Sequence, residues 1–183
     1  MADDVAPDGG EDTTDAPGTE AAPEPEVRCG VLVTTGADGM VELHPTVEEY
    51  LGVVQALRGE EHHMLLDLTA VDYLTHPGRE LPEGRAPQRF EVVATTICHT
   101  TPERVRIRVQ VPEADAVLPT LFDLHPGAEA LEREVFDMFG IRFSGHPDLT
   151  RILMPEDWEG HPLRKDYDVG AIPVQFKDAP AAR

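Results

Sequence analysis

Cysteine is nearly absent: the 183 residues contain two, Cys29 and Cys98, far apart and in no CxxC pair. Two thiols cannot by themselves hold an iron–sulfur cluster, which usually draws on four thiolates. Both read as buried free thiols. Positive charge is also scarce, with 15 basic residues against 35 acidic ones and a formal net charge of −20. A field of that sign repels phosphate and argues against a nucleic-acid partner. No apolar run approaches the roughly 20 residues that cross a bilayer. The start of the chain lacks the basic and apolar stretches of a secretory signal. The expectation is a cytosolic protein that can still dock on a membrane complex. Catalytic motifs are missing too. There is no GxSxG, no P-loop and no GxGxxG, so hydrolase, nucleotidase and dinucleotide-binding readings lack support.

What is present is unevenly spread. Residues 1–26 hold nine acids and no base, interleaved with Pro7, Pro17, Pro23 and Pro25. Such a segment cannot bury enough apolar surface to offset its ordering entropy. It reads as a disordered, solubilising tail, with a specific binding role as the alternative. The remainder, 26 acids against 15 bases, carries about −11, which is ordinary for an acidic domain. With 40% apolar residues the chain can build one core.

Gly30–Val33 and Met40–Leu43 flank an Asp38-Gly39 turn and predict a hairpin. Thr46 and Glu49 form a capping-box pattern ahead of a helix that Gly59 ends. Val47, Tyr50, Leu51, Val54 and Leu57 make its core face. Met64–Val71 reads as a buried strand, and the proline- and glycine-rich 75–87 as a surface loop. Arg89–Thr100 and Glu103–Val111 predict an antiparallel pair. In the second strand Val105, Ile107, Val109 and Val111 face one way. Arg104, Arg106 and Arg108 face the other, either into solvent or toward an acidic partner. A short helix is expected over Ala114–Leu124 and a longer one over Gly127–Phe139, with Gly140 at its C-terminal cap. Beyond Ile141 no periodic pattern returns. An irregular segment of that length in a small domain is usually functional or wrapped on something. The fold class is α+β: a two-layer domain with a mixed β-sheet packed by helices. The expected divisions are a tail at 1–26, a core domain at 27–143 and an extended C-terminal strap at 144–183.

Eight histidines raise the question of a metal. His62 and His63 are adjacent and point to different sides. His146 and His161 lie near Asp148, Glu156, Asp157 and Asp166, but no HxH or HExxH spacing places two imidazoles on one face. A stand-alone metal-dependent enzyme built on them is the outside alternative. Glu132 and Glu134 point apart on a helix. With Arg133 and Asp137 they read as a charged helix edge available for ion pairs. No complete active site emerges, and no catalytic, cofactor-binding or metal-binding residue is assigned.

The run Leu131-Glu132-Arg133-Glu134-Val135-Phe136-Asp137-Met138-Phe139-Gly140-Ile141-Arg142-Phe143 is followed by Gly145-His146-Pro147-Asp148-Leu149. It continues from Arg151-Ile152-Leu153-Met154-Pro155 through Trp158-Glu159-Gly160-His161-Pro162-Leu163-Arg164-Lys165-Asp166-Tyr167. This run resembles the hallmark of the C-subunit family of NADH:quinone oxidoreductase, respiratory complex I. Asp67–Tyr73 and Arg89–Val93 resemble the family's strand region, so the likeness covers about residues 45–170. Three positions depart from the family pattern: Thr150, where a basic residue is common, and His125 and Ala130, near which tryptophans are usual.

The resemblance implies a non-catalytic component of the peripheral arm, on the cytoplasmic side of a bacterial cell membrane. FMN and iron–sulfur clusters would lie in partner subunits and no cofactor in this chain. Its chief partner would be the large D subunit of complex I, along which the strap would pack. The B and I subunits would be further partners. Arg151, Trp158, His161, Arg164, Lys165 and Tyr167 are the expected interface residues, together with the row Arg104, Arg106 and Arg108. The equivalent subunit of a related membrane-bound hydrogenase or F420H2 dehydrogenase is the alternative.

Overall fold

The computed structural model describes residues 26–79 and 81–168. The expected tail, apart from Glu26, and the end of the expected strap lie outside them. Strands β1 (Val27–Arg28), β2 (Val31–Thr35) and β3 (Val41–Leu43) pair antiparallel in succession. The predicted Asp-Gly turn joins β2 to β3. Gly39 takes φ +78, a conformation that costs glycine little, and Asp38 Oδ1 accepts the Met40 N–H at 3.1 Å.

The capping box also forms. Thr46 N donates to Glu49 Oε2 at 2.8 Å, and Glu49 N donates to Thr46 Oγ1 at 3.3 Å. Helix α1 (Tyr50–Gly59) follows and buries Tyr50, Val53, Val54 and Leu57. Strands β4 (Met64–Asp72), β5 (Phe90–Ile97) and β6 (Arg104–Val111) are antiparallel neighbours. β3 joins β6 in parallel, giving the mixed order β1-β2-β3-β6-β5-β4. Register puts Phe90, Val92 and Ala94 opposite Val111, Val109 and Ile107, all fully buried. That face and the apolar residues of α1 and of α2 (Ala128–Phe139) form one continuous core.

Three sequence expectations need correction. Ala114–Leu124 is not a helix. Its Val117–Pro119 is strand β7, followed by turns, because Pro119 in the middle of the stretch cannot donate to a helical ladder. The chain past Ile141 is not wholly irregular, since Arg142–Ser144 forms β8 and pairs in parallel with β7. Both strands are three residues long, too short for any periodicity to register. Finally, β4 is an edge strand, buried only in its second half. Met64 and Leu66 stay exposed beside a register shift between Leu65 and Asp67. Of the cysteines, Cys98 is buried as expected and Cys29 only partly so.

The burial pattern sets a contrast in cost. Ile107→Ala, in a central strand hemmed in on both sides, should lose about 2–5 kcal/mol. Leu66→Ala should stay within about 0.5 kcal/mol, as at other exposed positions. Urea unfolding monitored by circular dichroism checks both. A Leu66 variant as damaging as the Ile107 one would contradict the exposed first half of β4.

Candidate functional site

The C-terminus of α2 is where the chain's polar groups converge. A helix leaves its last four carbonyls without intrahelical partners. Here each has one. Phe136 O accepts the Gly140 N–H at 2.9 Å, with Gly140 left-handed at φ +74. Asp137 O accepts His161 Nδ1–H at 2.9 Å and Arg151 Nη1–H at 3.3 Å. Met138 O accepts the Leu163 N–H at 3.1 Å, and Phe139 O accepts Arg164 Nε–H at 2.6 Å. Three of the four caps therefore come from residues 151–164, the strap.

The Asp137 side chain ties the near end of the same segment. One oxygen pairs with Arg151 Nη1 at 2.5 Å. The other accepts the backbone N–H groups of Ile152, Leu153 and Met154 at 3.1, 2.8 and 2.8 Å. Arg151 also reaches forward, donating from Nη2 to Trp158 O and Gly160 O at 2.9 and 3.0 Å. Arg133 holds Thr150 through its carbonyl at 3.1 Å and its hydroxyl at 2.9 Å. Thr150 thus accepts from an arginine. The far end is tied to the sheet: Lys165 N donates to Asp72 Oδ2 at 2.9 Å, and Arg89 bridges Asp72 and Asp166 at 2.8 and 2.6 Å.

Glu132 and Asp137 are both 0% exposed, which corrects the expectation of a charged helix edge. The two behave oppositely. Burial pushes the Glu132 carboxyl up, only partly opposed by the Leu121 N–H at 2.6 Å and the Thr120 hydroxyl at 2.5 Å. Burial would also raise Asp137, but the Met154 N–H, Arg151 and the Leu153 and Ile152 N–H groups outweigh it and hold it below its ordinary value.

The arginine row has partners inside the chain. Arg106 pairs with Glu42 at 2.7 Å and Asp38 at 2.8 Å, and Arg108 with Glu42 at 2.8 Å and Glu91 at 2.9 Å. Arg104 stays exposed. Of the expected interface residues, Arg151, His161 and Arg164 point into α2. Lys165 exposes its side chain, and the Tyr167 ring packs over Gly160, where a Cβ would sit 2.8 Å from it. Trp158 is half-buried. Among the described residues the strap's exposed large apolar side chains are Ile152 (42%), Leu153 (59%) and Leu163 (49%). Sequence reasoning passed these over, because an apolar residue in an irregular segment has no period to say which way it faces. His146 donates to Glu129 O at 3.1 Å and accepts from Asp148 N at 3.1 Å, while His161 caps α2. Among the described residues no group of three or more His, Cys, Asp or Glu side chains could hold a metal.

The same chain is similar to known proteins over most of this arrangement. Residues 43–172 match the family described as respiratory-chain NADH dehydrogenase, 30 Kd subunit. A relative from Roseiflexus castenholzii, the C subunit of an NADH-quinone oxidoreductase, is 46% identical over 141 residues, 75% of each chain. Four relatives of that name, 41–46% identical, have 53–75% of their length covered. Among solved structures, the trypsin-resistant fragment (1-134) of Nqo5 superposes with a TM-score of 0.58 at 34% identity, covering 66% of this chain and 90% of that one. A chain of the membrane-bound sulfane sulfur reductase, an archaeal respiratory membrane complex, has a TM-score of 0.64 over 84% and 90% of the two chains. At 21% identity it shares the fold.

The two buried acids differ in what their removal does. Asp137→Asn strips the charge from a paired, buried group and should cost about 3–5 kcal/mol at neutral pH. That gap should narrow as the pH falls below about 4, because a depressed carboxyl contributes stability only while ionised. Glu132→Gln keeps an acceptor for Leu121 and removes a charge the site disfavours, so it should stay within about 1 kcal/mol or stabilise. Thermal melts from pH 2 to 7 decide it. Equal costs for the two variants, or an Asp137 gap that does not depend on pH, would overturn the assignment.

Proposed function

The chain belongs to the respiratory-chain NADH dehydrogenase 30 Kd subunit family, and on that premise we propose that it is a non-catalytic peripheral-arm component of a proton-translocating NADH:quinone oxidoreductase. The observation that carries this reading is the family match over residues 43–172, which takes in α1, strands β4 to β6, α2 and most of the strap. Its role is assembly: it supports electron transfer from NADH to quinone while FMN and iron–sulfur clusters sit in partner subunits. The chief partner is the D subunit of the complex, with the B and I subunits nearby. The complex attaches the chain to the cytoplasmic side of the membrane. No described helix is long and apolar enough to cross it.

The strap suits this role in a particular way. Asp137 holds the backbone of Ile152 and Leu153, and Arg164 and Leu163 N hold the far side. Ile152, Leu153 and Leu163 are thereby fixed before a partner arrives, which lowers the ordering cost of association. Lys165 adds an exposed charge at the rim. Arg151, His161 and Arg164 set the strap's path, and Trp158 and Tyr167 stiffen it. The equivalent subunit of a membrane-bound hydrogenase or F420H2 dehydrogenase is the second reading. Identification of the co-purifying subunits by mass spectrometry separates the two.

Two variants test the interface. Leu153→Asp should leave the melting temperature of the isolated chain unchanged within about 1 °C. It should lower recovery of the assembled complex by about tenfold or more. Arg164→Ala should reduce both chain stability and recovery. In every variant, NADH:quinone activity per assembled complex should equal wild type. A normal yield with Leu153→Asp would remove the strap interface, and reduced activity in fully assembled complex would contradict the non-catalytic role.

A further inference from the structure

Between the end of β4 and the start of β5 lies a pocket of about 190 Å³, lined by Tyr73, Leu74, Pro77, Pro87, Gln88 and Arg89. That is below the roughly 300–1,000 Å³ of a site for a drug-sized ligand or cofactor. It is enough for one ring, since an apolar cavity of about 150 Å³ holds a benzene-sized group. Tyr73, Leu74 and the two prolines make most of the lining apolar, and Leu74 stays 44% exposed. The walls are fixed. Tyr73 N donates to Arg89 O at 2.8 Å, Leu74 N to Asp72 Oδ1 at 2.9 Å and His76 N to Tyr73 O at 2.8 Å. Arg79 lies over the Tyr73 ring, with Cζ 3.6 Å from its centroid, and donates from Nη2 to Gln88 O at 3.0 Å and to Gln110 Oε1. These acceptors are neutral, so among the described residues the Arg79 charge has no carboxylate against it.

The pocket is continuous with the strap. Asp72 is only 3% exposed; its Oδ1 holds the Leu74 N–H and its Oδ2 accepts the Lys165 N–H at 2.9 Å. Arg89, part of the lining, pairs with Asp72 at 2.8 Å and with Asp166 at 2.6 Å. One buried carboxylate thus ties the pocket wall to the strap's end, where Leu163 is exposed. Resting on the strap interface described above, we propose that this pocket is a second anchor point for the same partner subunit. It receives one large apolar side chain, a leucine or a phenylalanine, with a neighbouring carboxylate that pairs with Arg79. The apolar lining selects the side chain, and the uncompensated charge of Arg79 selects its flank. Because the walls are already held, little further ordering is needed on binding. A buried apolar anchor in a fixed pocket is where interfaces concentrate their energy.

The test uses the full chain and the assembled complex. Leu74→Asp should leave the melting temperature of the isolated chain unchanged within about 1 °C and lower recovery of the complex about tenfold. Leu66→Asp, on the same edge strand and 39% exposed, should be recovered like wild type. Arg79→Gln should lower recovery about threefold at low salt, a difference that closes between about 50 and 500 mM NaCl as charges are screened. A benzophenone photo-cross-linker in place of Leu74 should label the same subunit as one in place of Leu153, at a peptide with Leu or Phe beside Asp or Glu. Full recovery of Leu74→Asp while Leu153→Asp fails to assemble would overturn the pocket and leave the strap interface standing. Full recovery of both would remove the strap interface and the pocket with it. Equal losses from Leu66→Asp and Leu74→Asp would also overturn the proposal. So would a cross-link from position 74 to a second copy of this chain, to lipid or to no subunit. Wild-type recovery of Arg79→Gln at low salt would overturn the paired carboxylate.

Discussion

Much of this structure depends on how one helix ends. The last carbonyls of α2 and the buried carboxylate of Asp137 must find donors, and residues 151–164 bring them. Leaving such groups unpaired inside a protein costs on the order of 1–3 kcal/mol each. That sum is large against the marginal stability of a domain. The strap therefore has a defined path on this chain alone. It also explains Gly140 twice over: its φ of +74 favours glycine, and a Cβ would lie 2.5 Å from His161 Nε2 and 2.8 Å from Arg164 Nη2.

The same helix shows why formal charge says little without geometry. Glu132 and Asp137 are five residues apart and equally hidden, yet one is pushed toward its neutral form and the other held ionised. The difference is donor count: two for Glu132, four for Asp137. On the opposite face of the sheet, cross-strand register sets Glu42 beside Arg106 and within reach of Arg108. Arg106 and Arg108 are thus neutralised within the fold, and the acidic excess is left to other surfaces.

The elements with a long period were legible in the sequence. The capping box at Thr46 and Glu49, the alternation in β6, the Asp38-Gly39 turn and the glycine ending α2 all stand where the residues place them. The α+β class with a mixed sheet follows from their order. Short elements were not legible: β7 and β8 hold three residues each and are defined by pairing with one another. The hallmark run identified the family and marked the strap as important. It did not say that Arg151, His161 and Arg164 turn inward while Ile152, Leu153 and Leu163 turn outward. Those directions follow from hydrogen bonds between residues 14 to 25 positions apart, which no local pattern encodes.

Hydrogen exchange of the isolated chain at neutral pH measures the central claim most directly. If α2 and Asp137 fix the strap before any partner binds, the amides of Ile152, Leu153, Met154 and Leu163 exchange slowly, in the range of the α2 amides. Exchange at those four positions as fast as at the exposed Glu83, Gly84 and Ala86 would show that the strap is ordered only by its partners, and would contradict the account.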